Sequence, residues 1–288
     1  MQGFSAGRAV LWGLLAASCI PALGGCRREP DVANGQARQA PTVDSAPAAA
    51  LPAPVEEAPP GGPLQDVIEH TPSYVVGISY PPGVERYPGL AQAVAQYAQA
   101  ARAELMNAVE GLGNDKPTAP YELSLAFETV VDTPSVVAVA ADGSRYTGGA
   151  HGEPLVARFV WLPQQQAPLT ADKLIPSPQG WTAVGQYVAA RLHEAAAQRS
   201  EADKLPPEDA AELLKNADKM IADGTNGQAS NFDQFVPVMD GAGKISALRF
   251  VFAPYQVGPY SDGTQTVDVP AAVLLPLVAP TYADLFAH

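Results

Sequence analysis

The sequence predicts an α+β domain with a mainly antiparallel sheet and about three helices. Three observations point there. Strand-like runs come in clusters joined by turn signals such as Asp132-Thr133-Pro134 and Asp240-Gly241-Ala242-Gly243. One stretch carries apolar residues at helical spacing, and two more follow helix-start signals at Ser177-Pro178-Gln179-Gly180 and Pro206-Pro207-Glu208-Asp209. The two kinds of element do not alternate as a βαβ repeat would require. The chain shows no convincing internal repeat.

The folded region begins near Gln65. Tyr74 to Tyr80 is rich in β-branched and aromatic residues and ends at Pro81-Pro82-Gly83, a strand followed by a turn. From about Gly89, Leu90, Val94, Tyr97, Ala101, Leu105 and Val109 step by three or four, which predicts a helix stopped by Gly111 and Gly113. Tyr121 to Glu128 alternates strictly, the mark of a half-buried strand, and Val130-Val131 extends it. Ser135 to Ala140 and Leu155 to Trp161 read as two more strands, with Asp142 to Pro154 as a long connection between them. A second helix is expected from Trp181 to about Gln198. A third starts at Pro206-Pro207-Glu208-Asp209, where the acids meet the positive end of the helix dipole, and closes at Gly224. Phe232 to Val238, Lys244 to Phe252 and Val267 to Leu275 supply the last three strands.

The chain ahead of this region has a different character. Arg27 to about Leu64 is rich in Pro, Ala and Gly and holds no aromatic residue, so it buries too little apolar surface to fold. As a tether of about 38 residues it would reach roughly 35 Å as a coil and on the order of 110 Å at full polyproline extension. Before it, the apolar stretch Ala9 to Leu23 follows Arg8 and is too short to span a bilayer. It has the layout of a secretory signal, and Leu23-Gly24-Gly25-Cys26 resembles the bacterial lipobox. That resemblance implies cleavage before Cys26 and lipidation of Cys26. With Arg27 next rather than Asp, the usual sorting pattern implies the outer membrane, facing the periplasm, if the cell has two membranes. The competing reading is an ordinary signal peptide with a bystander cysteine. The expected layout is thus 1–25 leader, 26–64 tether and 65–288 folded domain, with sub-lobes at 65–165 and 166–288.

Composition narrows the function classes. Cys19 goes with the leader and Cys26 would carry lipid, which leaves no thiol for a disulfide, a metal site or a nucleophile. The chain has a formal net charge of −13, and loss of Arg8 with the acid-free leader takes it to −14. That argues against nucleic acid and anionic lipid heads, and favours a basic partner or simple solubility. Contact with membrane is expected through the lipid anchor only, and no cofactor is implied.

Two segments could carry recognition. In Arg145-Tyr146-Thr147-Gly148-Gly149-Ala150-His151-Gly152, three glycines allow positive φ and close backbone approach, Tyr146 offers a ring and a hydroxyl, and His151 could donate beside the loop amides. The other reading is a Gly-rich turn with His151 tied to the backbone. Pro254 to Gly263 holds Tyr255, Gly258, Pro259, Tyr260 and Gly263 in a rigid amphipathic loop suited to protein or glycan contact. There the alternative is a turn corner with Tyr255 packed into the core.

With these two strings the chain resembles the paired domains of unknown function found in RsiV-type anti-sigma factors and beside the catalytic domain of PdaC-type deacetylases. The resemblance rests on Tyr146 to Gly152, on Tyr255 to Thr264, and on Val267-Asp268-Val269-Pro270, and it covers about Ser73 to Leu275. It implies an extracytoplasmic α+β module. In RsiV the module receives lysozyme, and in PdaC it accompanies peptidoglycan deacetylation. The carried-over expectation is a lipid-tethered envelope module that binds a lysozyme-type protein or a peptidoglycan fragment through the two loops.

An envelope hydrolase or esterase, or a structural envelope lipoprotein, are the alternatives. No Gly-x-Ser-x-Gly elbow, His-Glu-x-x-His helix or cysteine metal site is present. His193-Glu194 lies on an expected helix without a second histidine at i+4. A triad would have to join His151 to Ser261 and to Asp262 or Glu153.

Overall fold

The computed structural model describes residues 64–288. The leader, Cys26 and the tether up to Pro63 lie outside them. A six-stranded sheet forms the central layer, in the order β1 (Val67–His70), β2 (Tyr74–Ser79), β3 (Tyr121–Asp132), β4 (Val137–Tyr146), β5 (Glu153–Leu162) and β6 (Ala167–Pro168). Every neighbouring pair is antiparallel except β2 and β3, which run parallel because α1 (Pro88–Gly111) carries the chain across between them.

α1 lays Leu90, Val94, Ala98, Ala101 and Leu105 on one face of this sheet, against Leu123, Leu125, Phe127, Val139 and Phe159. Gly89 permits the close approach at its start. A Cβ there would stand 2.3 Å from the Trp161 ring, which leaves no room for a larger residue.

The opposite face presents Val136, Ala138, Val160 and Leu162 to a second core. That core is built by a three-stranded antiparallel sheet of β7 (Phe235–Met239), β8 (Ile245–Phe252) and β9 (Gln265–Pro270), with α3 (Pro178–Ala202) packed beside β9. Trp181, Phe232 and Phe250 pack together at its centre, with Trp181 and Phe232 stacked at 5.2 Å. β4 is therefore covered on both faces, and Val137 to Ala141 is buried throughout. Its sequence runs apolar without alternation for that reason. α4 (Pro207–Gly224) lies against α3, and the four-residue helices α2 (Ala171–Leu174), α5 (Ala271–Leu274) and α6 (Pro280–Ala283) close the second core.

The expected α+β class and mainly antiparallel sheets are present, and the three long helices fall where their sequence signals placed them. Three short helices bring the number in the described region to six. Three local readings need correction. The Asp142–Pro154 connection is mostly ladder, because β4 and β5 stay paired out to Arg145↔Glu153 and only the tip turns. The last strand stops at Pro270, and Ala271 to Leu274 is helical. Phe232 belongs to a 3₁₀ turn, Ala229–Phe232, rather than to β7. β3 carries a bulge between Thr129 and Val131 that leaves Val130 exposed.

Candidate functional site: an aromatic corner between two hairpin ends

The tip of the β4–β5 hairpin and the β8–β9 connection meet. His151 stacks on Tyr260 with ring centroids 3.9 Å apart and planes 18° apart, and Tyr255 stands 5.6 Å from Tyr260 and 5.9 Å from His151. The Tyr255 hydroxyl is 2.9 Å from His151 Nε2, while His151 Nδ1 is 3.1 Å from the Gly152 carbonyl. A carbonyl only accepts, so Nδ1 donates to the Gly152 carbonyl and Nε2 accepts the hydrogen bond donated by the Tyr255 hydroxyl. The imidazole is thus tied both to its own backbone and across the site. Tyr255 is 54% exposed, and His151 is exposed as well. Tyr255 is not a core residue.

Each loop is held from below. Gly148 and Gly149 have φ of 102° and 97°, conformations that turn the hairpin tip and that glycine alone adopts at ease. Tyr146 bonds its hydroxyl to the Gly149 carbonyl at 3.2 Å, which closes the tip on itself; among the described residues its ring joins none of the other three. At the root, the largely buried Arg145 guanidinium bridges Glu104 of α1 and Glu153 of β5.

On the other side, the Gly258 carbonyl accepts from Tyr255 N, and Gln256 Nε2 donates to the Asn231 carbonyl. Gly258 is buried, with Gln265 and Asp262 where its Cβ would be. Pro259 leads into the 3₁₀ turn Tyr260–Asp262, which ends at Gly263 with φ 68°. Asp262 is pinned to Arg199 of α3 at 3.1 Å.

Of the residues expected at a site, His151 and Tyr255 are exposed, and the half-buried Tyr260 stacks under His151. Tyr146, Gly148, Gly149, Gly152, Gly258, Pro259 and Gly263 shape the two loops that carry these rings. The pairs Arg145–Glu104 and Arg199–Asp262 were not anticipated, because they span 41 and 63 residues of chain; Arg145's other partner, Glu153, is 8 residues away across the hairpin. The acids of the conceivable triad are engaged elsewhere: Glu153 with Arg145 and Asp262 with Arg199. His193 points to Asp218 of α4 at 2.8 Å instead of to the corner. Among the described residues no group of three or more His, Cys, Asp and Glu is placed to hold a metal ion.

One strongly shifted acid lies apart from the corner. Asp233, half-buried after the Ala229–Phe232 turn, has its carboxyl pushed up to about 6, first by burial and then by the charge of Asp172 on α2. Nothing in its local sequence signals this, since it depends on how the second core closes over it.

Two family models match separate segments of the chain. A family model described as deacetylase PdaC matches residues 68–153, and one described as a protein of unknown function, DUF3298, matches residues 182–272. Among solved structures, a DUF3298 family member from Bacteroides fragilis is 15% identical, covering 67% of this chain and 69% of that one at a TM-score of 0.40. Another from Pseudomonas aeruginosa PAO1 is 14% identical, covering 78% and 94% at a TM-score of 0.43. No curated protein matches the chain significantly. His151 lies in the first matched segment and Tyr255 and Tyr260 in the second, so the corner is assembled from both. The chain belongs to the proteins that carry a PdaC domain and a DUF3298 domain in tandem.

Proposed function

We propose that this chain is a cell-envelope binding module, tethered through lipid on Cys26, whose aromatic corner recognises a lysozyme-type protein or a peptidoglycan fragment. The observation that supports this reading is the preformed three-ring cluster of the exposed His151 and Tyr255 on the half-buried Tyr260, braced from both loops. Rigid aromatic residues contribute contact area at little entropic cost, and their faces suit a protein patch or a pyranose ring alike. The acidic balance of the chain favours a basic protein and would speed its encounter at low salt.

Calorimetric titration of the acyl-free chain with lysozyme, and separately with muropeptides, tests the reading. One of the two should bind. Tyr260→Ala and His151→Ala should each weaken that binding about tenfold or more, mainly through faster dissociation, as loss of a packed central residue does. If both variants bind like the parent at physiological salt, the corner is a structural brace and the reading fails.

A further inference from the structure

β9 is an edge strand. The order of its sheet is β7, β8, β9, and among the described residues no strand pairs with its outer side. Beside that edge runs a groove of about 390 Å³, walled by α3 and by the strand. Its α3 wall is Arg191, Leu192, Ala195 and Arg199, residues that share one side of the helix. Its other wall is the consecutive run 264–268, with Asp262 at one end. A sheet face would contribute only alternate residues, so a run of five identifies the strand's edge as the wall. The buried side chains of Leu192 and Val267 provide apolar lining.

The charges in the groove are ordered. Both guanidiniums stand on the helix side, about half exposed, and each uses one bond: Arg191 to Glu194 at 3.0 Å and Arg199 to Asp262 at 3.1 Å. A guanidinium has five N–H donors, so both retain donors. On the strand side Asp268 is held by a bidentate Arg249, which removes it as a competitor for those donors.

We propose that the α3–β9 groove binds an extended peptide segment that carries carboxylates, by strand addition to β9. The peptide backbone pairs with the open edge of β9, and its carboxylates meet Arg191 and Arg199 across the groove. Main-chain pairing of this kind supplies affinity, and the facing side chains supply selectivity. The site is separate from the aromatic corner in its chemistry, although Asp262 lies between the two.

The test uses the full chain in detergent and a fluorescein-labelled hexapeptide, Glu-Val-Thr-Val-Thr-Glu, together with the same peptide N-methylated at alternate amides. Anisotropy should report saturable binding, and N-methylation should weaken it about tenfold, the scale of one or two lost backbone hydrogen bonds. Arg191→Gln and Arg199→Gln should each weaken it about fivefold or more, as loss of a charge-assisted bond would. Bound peptide should slow amide exchange over 264–268, while His151→Ala binds the peptide like the parent. Absence of binding up to about 1 mM, a few kcal/mol short of ordinary recognition, overturns the proposal. So does equal binding of the N-methylated peptide. A loss in His151→Ala matching that in Arg191→Gln would put the peptide on the corner and also overturn it. The corner's own reading stands or falls separately, on lysozyme and muropeptide binding.

Discussion

Tyr255 holds its backbone at φ 74°, a region that a bulky side chain enters only when its surroundings compel it. The Gly258 carbonyl on its N–H and His151 on its hydroxyl are what compel it here. Tyr255→Gly should therefore separate stability from recognition. Urea unfolding is expected to show a gain, or a loss of less than about 1 kcal/mol, because relieved strain offsets the greater freedom of the unfolded chain. Ligand affinity should fall, since the hydroxyl that fixes His151 is gone.

Asp233 makes a second residue-scale prediction. Its folded pKa of about 6 lies above its ordinary 3.8, so the folded state binds more protons than the unfolded state between those values. Stability is then full below about pH 4 and is lost as pH rises through about 6. Asp233→Asn should flatten that decline and raise stability at pH 7 by about 1 kcal/mol, less than the full shift implies because the half-buried group is partly screened. A urea series from pH 4 to 7 measures it.

At the scale of elements, the corner depends on a contact well beneath it. α4 ends at Gly224, and a Cβ there would lie 2.1 Å from the Gln256 carbonyl and 2.8 Å from Val257. The obstruction at Gln256 is backbone, so it cannot swing away as a side-chain end would. Gly224→Ala should destabilise the fold by about 1–3 kcal/mol through overpacking and push the Tyr255 loop outward. Thermal unfolding reads the first effect, and faster amide exchange over 254–260 the second.

Why some elements were legible and others not follows from similar local physics. α1 and β3 announce themselves by period, because each buries one side only. β4 looked short because Asp142-Gly143-Ser144 resembles a turn. The strand continues through it because Gly143 lets the β3 backbone come close: a Cβ would lie 2.0 Å from the Ser124 carbonyl. Val267 to Leu275 is nearly continuous in apolar residues, and period alone cannot divide such a run into a strand and a helical turn. β1 is four residues long and abuts the tether, too short for any pattern to register. The two loops of the corner were legible by composition, since positive-φ turns call for glycine. Their bracing arginines were not, since an ion pair across 41 or 63 residues leaves no local trace.

At the scale of the whole molecule, export and charge set the expectations. If Cys26 carries the anchor, Cys26→Ser should abolish incorporation of a fatty-acid analogue and leave a soluble or uncleaved chain. Label that persists on the variant would sink the lipobox reading. The charge of −13 acts on encounter more than on the final complex, so the association rate with a basic partner should fall as salt shortens the Debye length from about 10 Å at 0.1 M to about 3 Å at 1 M. Stopped-flow association at several salt concentrations checks this. The dissociation rate should move with the corner residues and hardly with salt.

The position of β1 has a mechanical consequence. Any tension that reaches the domain through the chain ahead of Leu64 enters at the outermost strand of the six-stranded sheet, whose lateral partner among the described residues is β2 alone, through four paired residues. Coming in from Leu64, the load meets first the bonds Leu64 N–H to Glu85 Oε1 and Tyr80 N–H to Asp66 Oδ1, and then the Arg102–Glu69 pair, where one guanidinium nitrogen grips both carboxylate oxygens at 2.9 and 3.0 Å. Under load this short edge strand is expected to yield before the pairs around β4, so a pull from the N-terminal side would lengthen the domain at β1 and leave the His151–Tyr255–Tyr260 cluster in place.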